Sequence, residues 1–262
     1  MTLTVAETIQ DRKAAGHGTL VAYLPLGYPD LDTSIEASIA ALEAGADVLE
    51  LGVPYSDPVM DGAVIAQATQ RALETGFKLH QVFPAIKRIT EATGKPVLVM
   101  TYWNPVVQYG VEAFAKDLTE AGGQGLITPD LIPDEAGDWL DVSERYGLER
   151  VFLAAPSSSN ERLANSSRQS RGFVYAVSTM GITGTRDDVD SAARGLVARV
   201  YEQGAVATCV GLGISTPDHV ADVVSFADGA IVGSAFVRAL SDGGVPAVRQ
   251  LASDLATGTA RR

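Results

Sequence analysis

The sequence predicts an α/β protein, a single-domain (β/α)8 TIM barrel over residues 1–262. Short runs rich in Val, Ile and Leu recur without in–out alternation, which is typical of parallel strands buried on both faces. Amphipathic patterns separate these runs, and no composition break divides the 262 residues. Eight strand–helix units in about 250 residues favour a barrel. A doubly wound open sheet is the alternative, because alternation of strands and helices does not show closure.

The predicted strands are, in order, Thr19–Pro25, Asp47–Leu51, Pro96–Tyr102, Gly125–Thr128, Arg150–Ala154, Phe173–Val177, Val206–Val210 and Gly229–Val232. The residues before Thr19 are predicted to form an extra N-terminal helix. Between the first two strands lies the predicted helix Thr33–Ala44, where Thr33 and Glu36 have the spacing of a capping box. Two later helical patterns end just before glycines, Phe114–Glu120 and Ala192–Glu202. The tail, residues 257–262, is predicted to fray.

Charge and composition exclude several classes of function. The formal net charge is −12 and no run of Lys or Arg forms a basic stripe, which argues against nucleic-acid and anionic-membrane partners. The single cysteine, Cys209, cannot form a disulfide within the chain, and no histidine has a neighbour at metal-ligand spacing. We therefore predict no metal site. The N-terminus has no signal-like apolar region and no later segment approaches 18 apolar residues, so a cytoplasmic protein is expected.

Glycines after the last two strands predict a phosphate site. Strand seven leads into G-L-G-I-S at residues 211–215, and strand eight leads into Gly233-Ser234 before a short predicted helix, Ala235–Leu240. These two loops and an extra helix N-terminus form the usual phosphate site of this barrel. Residues 178–185 could add further donors. The simpler interpretation is that these glycines only form tight turns. No Walker motif is present, so a nucleoside triphosphate is not indicated.

Two carboxylates are the candidates for acid–base chemistry. Glu50 lies between Leu49 and Leu51, and strand alternation would direct it into the barrel at the end where active sites lie. Burial there would raise its pKa toward working pH, as a general acid or base requires. Asp61 follows in the loop and could reach the same mouth. The alternatives are a salt-bridged strand end for Glu50 and a turn or helix cap for Asp61.

Several motifs together resemble the tryptophan synthase alpha subunit family. They are L-E-L-G-V-P-Y-S-D-P-V-M-D-G at 49–62, T-Y-W-N-P at 101–105, D-L-I-P-D-E at 130–135, G-F-V-Y at 172–175, S-T-M-G-I-T-G at 178–184, G-L-G-I-S at 211–215 and V-G-S at 232–234. The likeness extends from Leu24 to Leu240, and the first motif is the most specific. It implies retro-aldol cleavage of indole-3-glycerol phosphate to indole and glyceraldehyde 3-phosphate.

The resemblance also implies a role for each candidate residue. Glu50 would be the acid–base group that protonates indole C3, and Asp61 would bond the indole N–H. The residues implied to line the substrate pocket are Tyr23, Ile65, Met100, Tyr102, Ile127 and Tyr175. Thr183 is implied to close over the site. The residues implied to hold the phosphate are Gly184, Gly213, Ile214, Gly233 and Ser234.

A partner is implied as well. Members of this family pair with a beta subunit that carries pyridoxal phosphate, in an α2β2 assembly, and the alpha chain itself needs no cofactor. Residues 54–61 and the segment near Asn104-Pro105 would face that subunit. One position departs from the family pattern: Thr179 stands where many members have Arg, which puts the closure of that loop in question.

Two other functions remain open at this point. Indole-3-glycerol phosphate synthase, another phosphate-binding barrel of aromatic amino-acid synthesis, would need a catalytic lysine at a strand end. Lys95 stands at a strand start instead. A non-catalytic barrel that only binds and activates a beta-like partner is the second alternative, although Glu50, Asp61 and Thr183 argue against it.

Overall fold

Parallel strands form the centre of the molecule. The computed structural model describes residues 3–177, 186–211 and 213–261, with the backbone alone for residues 186–190. Neighbouring strands all pair in parallel, in the order β5-β4-β3-β2-β1-β9-β8-β7-β6. The strand segments within the described ranges are β1 (Thr19–Pro25), β2 (Val48–Gly52), β3 (Val97–Met100), β4 (Gly125–Ile127), β5 (Glu149–Val151), β6 (Leu153–Ala154), β7 (Val174–Val177), β8 (Thr208–Gly211) and β9 (Gly229–Val232).

The sheet closes into a barrel, because the two strands at its ends follow one another directly in the chain. β1 pairs with both β2 and β9, so the first and last strands are neighbours. The two ends of the strand order, β5 and β6, are separated along the chain by Phe152 alone. They are halves of the fifth predicted strand, one paired with β4 and the other with β7. The predicted barrel is therefore confirmed and the open sheet is excluded. The extent of the domain, residues 1–262, stays a prediction.

Helices surround the strands. They are α1 (Val5–Ala14), α2 (Leu31–Glu43), α3 (Ala63–Glu74), α4 (Val82–Thr93), α5 (Trp103–Tyr109), α6 (Val111–Glu120), α7 (Gly137–Tyr146), α8 (Asn160–Gln169), α9 (Arg186–Glu202), α10 (Pro217–Val224) and α11 (Ser234–Ala256). None of the helices in the described part of the chain is long and apolar enough to cross a membrane. Helix α2 begins two residues before the predicted Thr33, because the Asp30 carboxylate accepts a hydrogen bond from Thr33 N at 2.8 Å and acts as the cap.

The predicted N-terminal helix, α1, closes the N-terminal mouth of the barrel. Its side chains Val5 and Ile9 are buried and belong to the apolar cluster of the barrel interior. The Glu149 carboxylate, at the start of β5, accepts hydrogen bonds from Val5 N at 3.0 Å and Ala6 N at 2.9 Å. These N–H groups have no partner inside a helix, so Glu149 fastens the first turn of α1 to the sheet.

Two apolar layers lie on either side of the strands. Val48 belongs to the cluster inside the barrel, whereas Leu49 and Leu51 belong to the larger cluster between strands and helices. Successive side chains of a strand point to opposite faces, so Glu50 shares the inward direction of Val48. The alternation predicted for this strand is confirmed, and it brings Glu50 to the C-terminal end of the barrel interior.

The C-terminal region differs from its prediction in two ways. The helix predicted as Ala235–Leu240 is the first part of α11, which breaks only at Gly244 (φ 64°, ψ −158°) and then continues to Ala256. The predicted fraying of the tail is wrong for the described residues. Gly18 N donates to Thr259 O at 2.7 Å, Arg261 N donates to Gly16 O at 2.9 Å, and Thr259 is buried. The tail is held because it pairs with the segment that leads into β1.

Candidate active site

Glu50 stands in the second strand with its carboxyl group removed from solvent. Tyr23 of β1 and Leu98 of β3 are its register partners, and its side chain is 1% exposed. Among the described residues, no group donates a hydrogen bond to its buried Oε2 atom. Burial raises the pKa of Glu50 to about 8, and the nearby Asp61 carboxylate contributes a smaller part of the rise. Glu50 is therefore mainly protonated at neutral pH and can act as an acid.

Asp61 lies in the loop that joins β2 to α3. The Tyr102 hydroxyl donates to Asp61 Oδ1 at 3.5 Å and accepts a hydrogen bond from Met60 N at 2.9 Å. Burial raises the pKa of Asp61 to about 6, and the hydrogen bond from Tyr102 opposes this rise. At neutral pH Asp61 is thus mainly ionised while Glu50 is mainly protonated. Two neighbouring carboxyl groups with different protonation states are suited to different roles in one reaction.

Two tyrosines complete the surroundings of Glu50. Burial raises the pKa of both Tyr23 and Tyr175 well above the usual value for a phenol, and the charges of Asp61 and Glu50 raise that of Tyr23 further. Both therefore remain neutral hydroxyl groups. Each packs over a glycine: a Cβ atom on Gly52 would overlap the Tyr23 hydroxyl, and one on Gly211 would lie 2.7 Å from the Tyr175 hydroxyl. Because Gly52 and Gly211 have no side chain, they leave room for the rings of Tyr23 and Tyr175 at the ends of β2 and β8.

The residues predicted to line the substrate pocket lie at this mouth of the barrel where they are described. Tyr23, Ile65 and Met100 belong to one apolar cluster. Ile127 is the register partner of Met100 and is fully buried in the barrel interior. Tyr102 contacts the Asp61 loop, as given above. Thr183 lies outside the described residues, as does the departing position, Thr179.

The predicted phosphate residues lie at the ends of β8 and β9. Gly213 has a positive φ of 59°, and Gly233 caps the N-terminus of α11, which begins at Ser234. The first helical hydrogen bond runs from Val237 N to Gly233 O, so the preceding N–H groups remain available for an anion. The Ile214 side chain is buried in the outer cluster, which leaves only its backbone for such a role. Gly184 lies outside the described residues.

The sequence did not indicate Gly52 or Tyr55 as part of this site, and it indicated Gly211 only for the phosphate and not for its contact with Tyr175. The Tyr55 ring stacks on Tyr102, with 5.1 Å between ring centroids. A glycine directly after an apolar strand can mark a close approach by another group, which is the signal that would have indicated Gly52 and Gly211. Tyr55 carries no comparable signal, because its partner is 47 residues away in sequence.

Comparison with known proteins shows the family. A sequence model described as "Tryptophan synthase alpha chain" matches residues 9–258. The chain belongs to the tryptophan synthase alpha chain family. This confirms the resemblance of the motifs, and it makes the chain a catalytic subunit of tryptophan synthase.

Individual members of the family are similar to this chain over nearly their full length. The tryptophan synthase alpha chain of Leifsonia xyli subsp. xyli is 62% identical over 257 residues, with 98% of each chain covered. That of Mycobacterium avium is 56% identical over 243 residues, covering 93% of this chain and 89% of the relative. A chain from a structure of Mycobacterium tuberculosis tryptophan synthase matches with a TM-score of 0.94 at 48% identity, with both chains fully covered. A chain from the tryptophan synthase complex of Pyrococcus furiosus matches at a TM-score of 0.82 and 32% identity, covering 92% of this chain and 98% of that chain.

Lys95 does not belong to the candidate active site of this member of the tryptophan synthase alpha chain family. Its ammonium group donates to Leu42 O and Ala46 O, each at 2.7 Å, before β3 begins. It therefore lies at the N-terminal end of the strands, opposite Glu50. The alternative of an indole-3-glycerol phosphate synthase, which needs a catalytic lysine at the other end, is excluded by this position and by the family.

Proposed function

We propose that the chain cleaves indole-3-glycerol phosphate to indole and D-glyceraldehyde 3-phosphate, as a carbon–carbon lyase of the retro-aldol type. The observation that carries the proposal is the buried Glu50 carboxyl group, whose Oε2 atom has no hydrogen-bond partner among the described residues, with the ionised Asp61 nearby. A reaction that protonates a ring carbon and develops positive charge on a ring nitrogen needs these two groups in these protonation states.

Glu50 begins the proposed reaction as an acid. It transfers its proton to C3 of the indole ring, which moves the π electrons and leaves the positive charge shared with the ring nitrogen. Its pKa of about 8 leaves the proton available at neutral pH, whereas an ordinary glutamic acid has already lost it. The new carboxylate then accepts the proton of the hydroxyl group on the adjacent side-chain carbon.

Bond cleavage follows from these two proton transfers. The oxygen that loses its proton becomes the carbonyl oxygen of glyceraldehyde 3-phosphate, and the bond between that carbon and indole C3 breaks. Its electron pair restores the aromatic ring and neutralises the nitrogen. Asp61 would accept a hydrogen bond from the ring N–H and stabilise the positive intermediate. Glu50 recovers its proton, and because the protonated ring accepts the electrons, we propose that this chain needs no cofactor.

Substrate binding is assigned to the groups around the two carboxylates. We propose that the apolar cluster of Tyr23, Ile65 and Met100 receives the indole ring, with Tyr102 and Ile127 beside it. Tyr175 would orient Glu50 or the reacting hydroxyl group. The backbone at Gly213, Ile214 and Gly233 and the N-terminus of α11 would hold the phosphate through N–H groups. For Gly184 and Thr183 the proposal rests on the resemblance of their motif alone.

The test of this proposal is indole release by the full chain. We expect slow release from indole-3-glycerol phosphate by the native protein, a faster rate with a beta subunit, and a loss of about 10²–10³-fold in Asp61→Asn, because one electrostatic stabiliser is removed. Asp57→Asn is the matched control for the rate without a beta subunit, since the Asp57 side chain lies exposed in the same loop and, among the described residues, bonds only its neighbour Ser56. No release even with a beta subunit, or equal losses in both variants, contradicts the proposal.

We also propose that the chain assembles with a beta subunit carrying pyridoxal phosphate, in the α2β2 form. Three exposed apolar side chains follow the C-terminal ends of β2, β3 and β4: Val59, Val107 and Ile132, which are 79%, 48% and 45% exposed. Asn104 Nδ2 donates to the Tyr55 hydroxyl at 3.3 Å, and so joins the two segments predicted to face the partner. Tyr55 stacks on Tyr102, which lies beside Asp61. A partner that contacts Tyr55 on this surface is therefore separated from the candidate active site by a single side chain.

Val59→Asp is expected to weaken binding of the beta subunit by roughly 10–100-fold, since it places a charge in an apolar contact. The matched control is Val206→Asp: Val206 is 81% exposed and precedes β8, at the opposite mouth of the barrel. Calorimetric titration of each variant with a beta subunit measures the two affinities. Equal affinities for the two variants would mean that the partner surface lies elsewhere.

A further inference from the structure

A second cavity lies beside the proposed substrate pocket, between helices α3 and α11. Its volume is about 360 Å³, which is in the range of sites for small molecules. We call it the α3–α11 groove. Its apolar lining consists of Tyr28, Val64, Ala68 and Val237, and its polar lining includes Gln67 and Ser241. None of these residues has a role in the reaction proposed above.

Two arginines line the same groove, one from each helix. Arg71 belongs to the last turn of α3, and Arg238 follows Val237 in α11. Arg71 has one weak ion pair, with Glu74 at 3.8 Å, in which both side chains are more than half exposed. Arg238 has no ion pair or side-chain hydrogen bond within the described parts of the chain, and it is exposed. In a chain of net charge −12, this cavity is thus lined by two positively charged side chains and by no acidic one.

The lining defines the class of ligand. Guanidinium groups bind carboxylate and phosphate through paired hydrogen bonds, so the charged end of the ligand is an anion. The apolar side chains and the Tyr28 ring offer no partner for a second charge. They fit a small flat or aliphatic body instead. A ligand that fits this lining would be a small organic anion with one phosphate or carboxylate group.

The floor of the groove is also the wall of the proposed substrate pocket. Ala68 and Val237 form one buried cluster with Tyr23, and Val64, Ile65 and Met100 pack against it. Helix α3 follows Asp61 by two residues, and the N-terminus of α11 is the proposed phosphate site. A molecule that binds both helices would hold the Asp61 loop and the phosphate site at a fixed separation.

We propose that the α3–α11 groove is a second anion site, in which Arg71 and Arg238 bind a small organic phosphate or carboxylate, and that its occupancy tightens substrate binding. The binding part stands independently of the proposed reaction. The effect on the substrate rests on the proposed function, because it is read from the KM of cleavage. Occupancy is expected to lower that KM by about fivefold or more, the usual range of coupling between two sites, while kcat changes little. Steady-state cleavage by the native chain and by Arg238→Gln, each with and without an anionic probe, measures this effect, and a KM that the probe does not lower in the native chain overturns it.

The experiment is a calorimetric titration of the full chain with two probes, phenyl phosphate and phenylacetate, which differ in the anionic group. The titration is repeated on three variants. Arg238→Gln removes one of the proposed ligands of the anion. Arg162→Gln is the matched control, because Arg162 is an exposed arginine of α8 without a side-chain partner among the described residues, and the charge change is the same. Ser234→Asp repels anions from the proposed substrate phosphate site instead.

We expect at least one probe to bind at millimolar concentration or tighter, with about tenfold weaker binding in Arg238→Gln and unchanged binding in Arg162→Gln and Ser234→Asp. The probe that binds more tightly identifies the headgroup. Absence of binding by both probes overturns the proposal. So does weakening in Ser234→Asp alone, which places the probe in the substrate pocket, and so does equal weakening by both arginine variants, which indicates a general charge effect. Since binding is measured without turnover, a failed indole assay leaves this result unaffected.

Discussion

Glu50→Gln is expected to reduce indole release by about 10³-fold or more, with the fold intact. A glutamine has nearly the shape of the protonated glutamic acid but no proton that it can transfer to a carbon atom. General acid–base groups contribute roughly 10²–10⁴-fold each, and Glu50 serves in both proposed proton transfers. Single-turnover release of indole from indole-3-glycerol phosphate, with and without a beta subunit, measures the loss.

Glu149→Gln is the control for this first prediction. Glu149 is a second buried glutamic acid whose pKa is raised by burial, to about 7, but it fastens α1 at the opposite mouth of the barrel. We expect this variant to retain the native rate when it is folded, since no reacting group lies near it. Indole release by Glu50→Gln at the native rate would assign the acid to another residue. A comparable loss in both variants would show that buried carboxyl groups matter for the fold and not for the chemistry.

The same substitution, Glu50→Gln, is expected to stabilise the protein, and by more as the pH rises. The pKa of Glu50 is raised from 4.5 to about 8 in the folded chain, so the folded state holds a proton that the unfolded state releases between these pH values. Unfolding is then favoured by rising pH, and the free energy of unfolding falls as the pH goes from 4.5 to 8. At about 1.4 kcal/mol for each tenfold change in proton affinity, the loss reaches at most roughly 5 kcal/mol.

A glutamine side chain does not titrate, so this loss is absent from the Glu50→Gln variant. Urea unfolding of both proteins measures the difference, with the slope of each transition checked for equality. Near pH 4.5 the two free energies of unfolding should be close, and near pH 8 the variant should be more stable by several kcal/mol. Groups that do not interact with Glu50 titrate equally in both proteins and cancel. Stability curves that run parallel across this range would show that Glu50 is ionised at no cost in the folded chain.

Together these expectations describe a residue kept for function against stability. A buried carboxyl group whose Oε2 atom has no hydrogen-bond partner in the described part of the chain destabilises the fold, and many neutral replacements would be better for folding alone. The same burial makes Glu50 an acid at neutral pH. A loss of stability at the reacting group, and its compensation elsewhere in the core, is the usual relation between an active site and its scaffold.

The elements around this site differ in how far local sequence determines them. Strand β2 was predictable because the alternating direction of its side chains and the leucines on either side of Glu50 are features of a short stretch of sequence. The N-terminus of α11 was predictable because Gly233 and Ser234 are local signals for a helix start. Its end was not, because the helix continues to a break at Gly244. The tail was also mispredicted, since its ordering depends on hydrogen bonds to residues 16–18, at the other end of the chain.

By itself, the sequence determined the strand positions, the inward direction of Glu50, the position of Asp61 after the same strand, and the family. All of these follow from short-range patterns and motifs. Only the tertiary structure decided closure of the barrel, the room that Gly52 and Gly211 leave for two tyrosines, and the opposite protonation of Glu50 and Asp61. It also brought Arg71 and Arg238 to one groove. Burial and distance between residues far apart in the chain set these properties, and neither is a property of a local stretch of sequence.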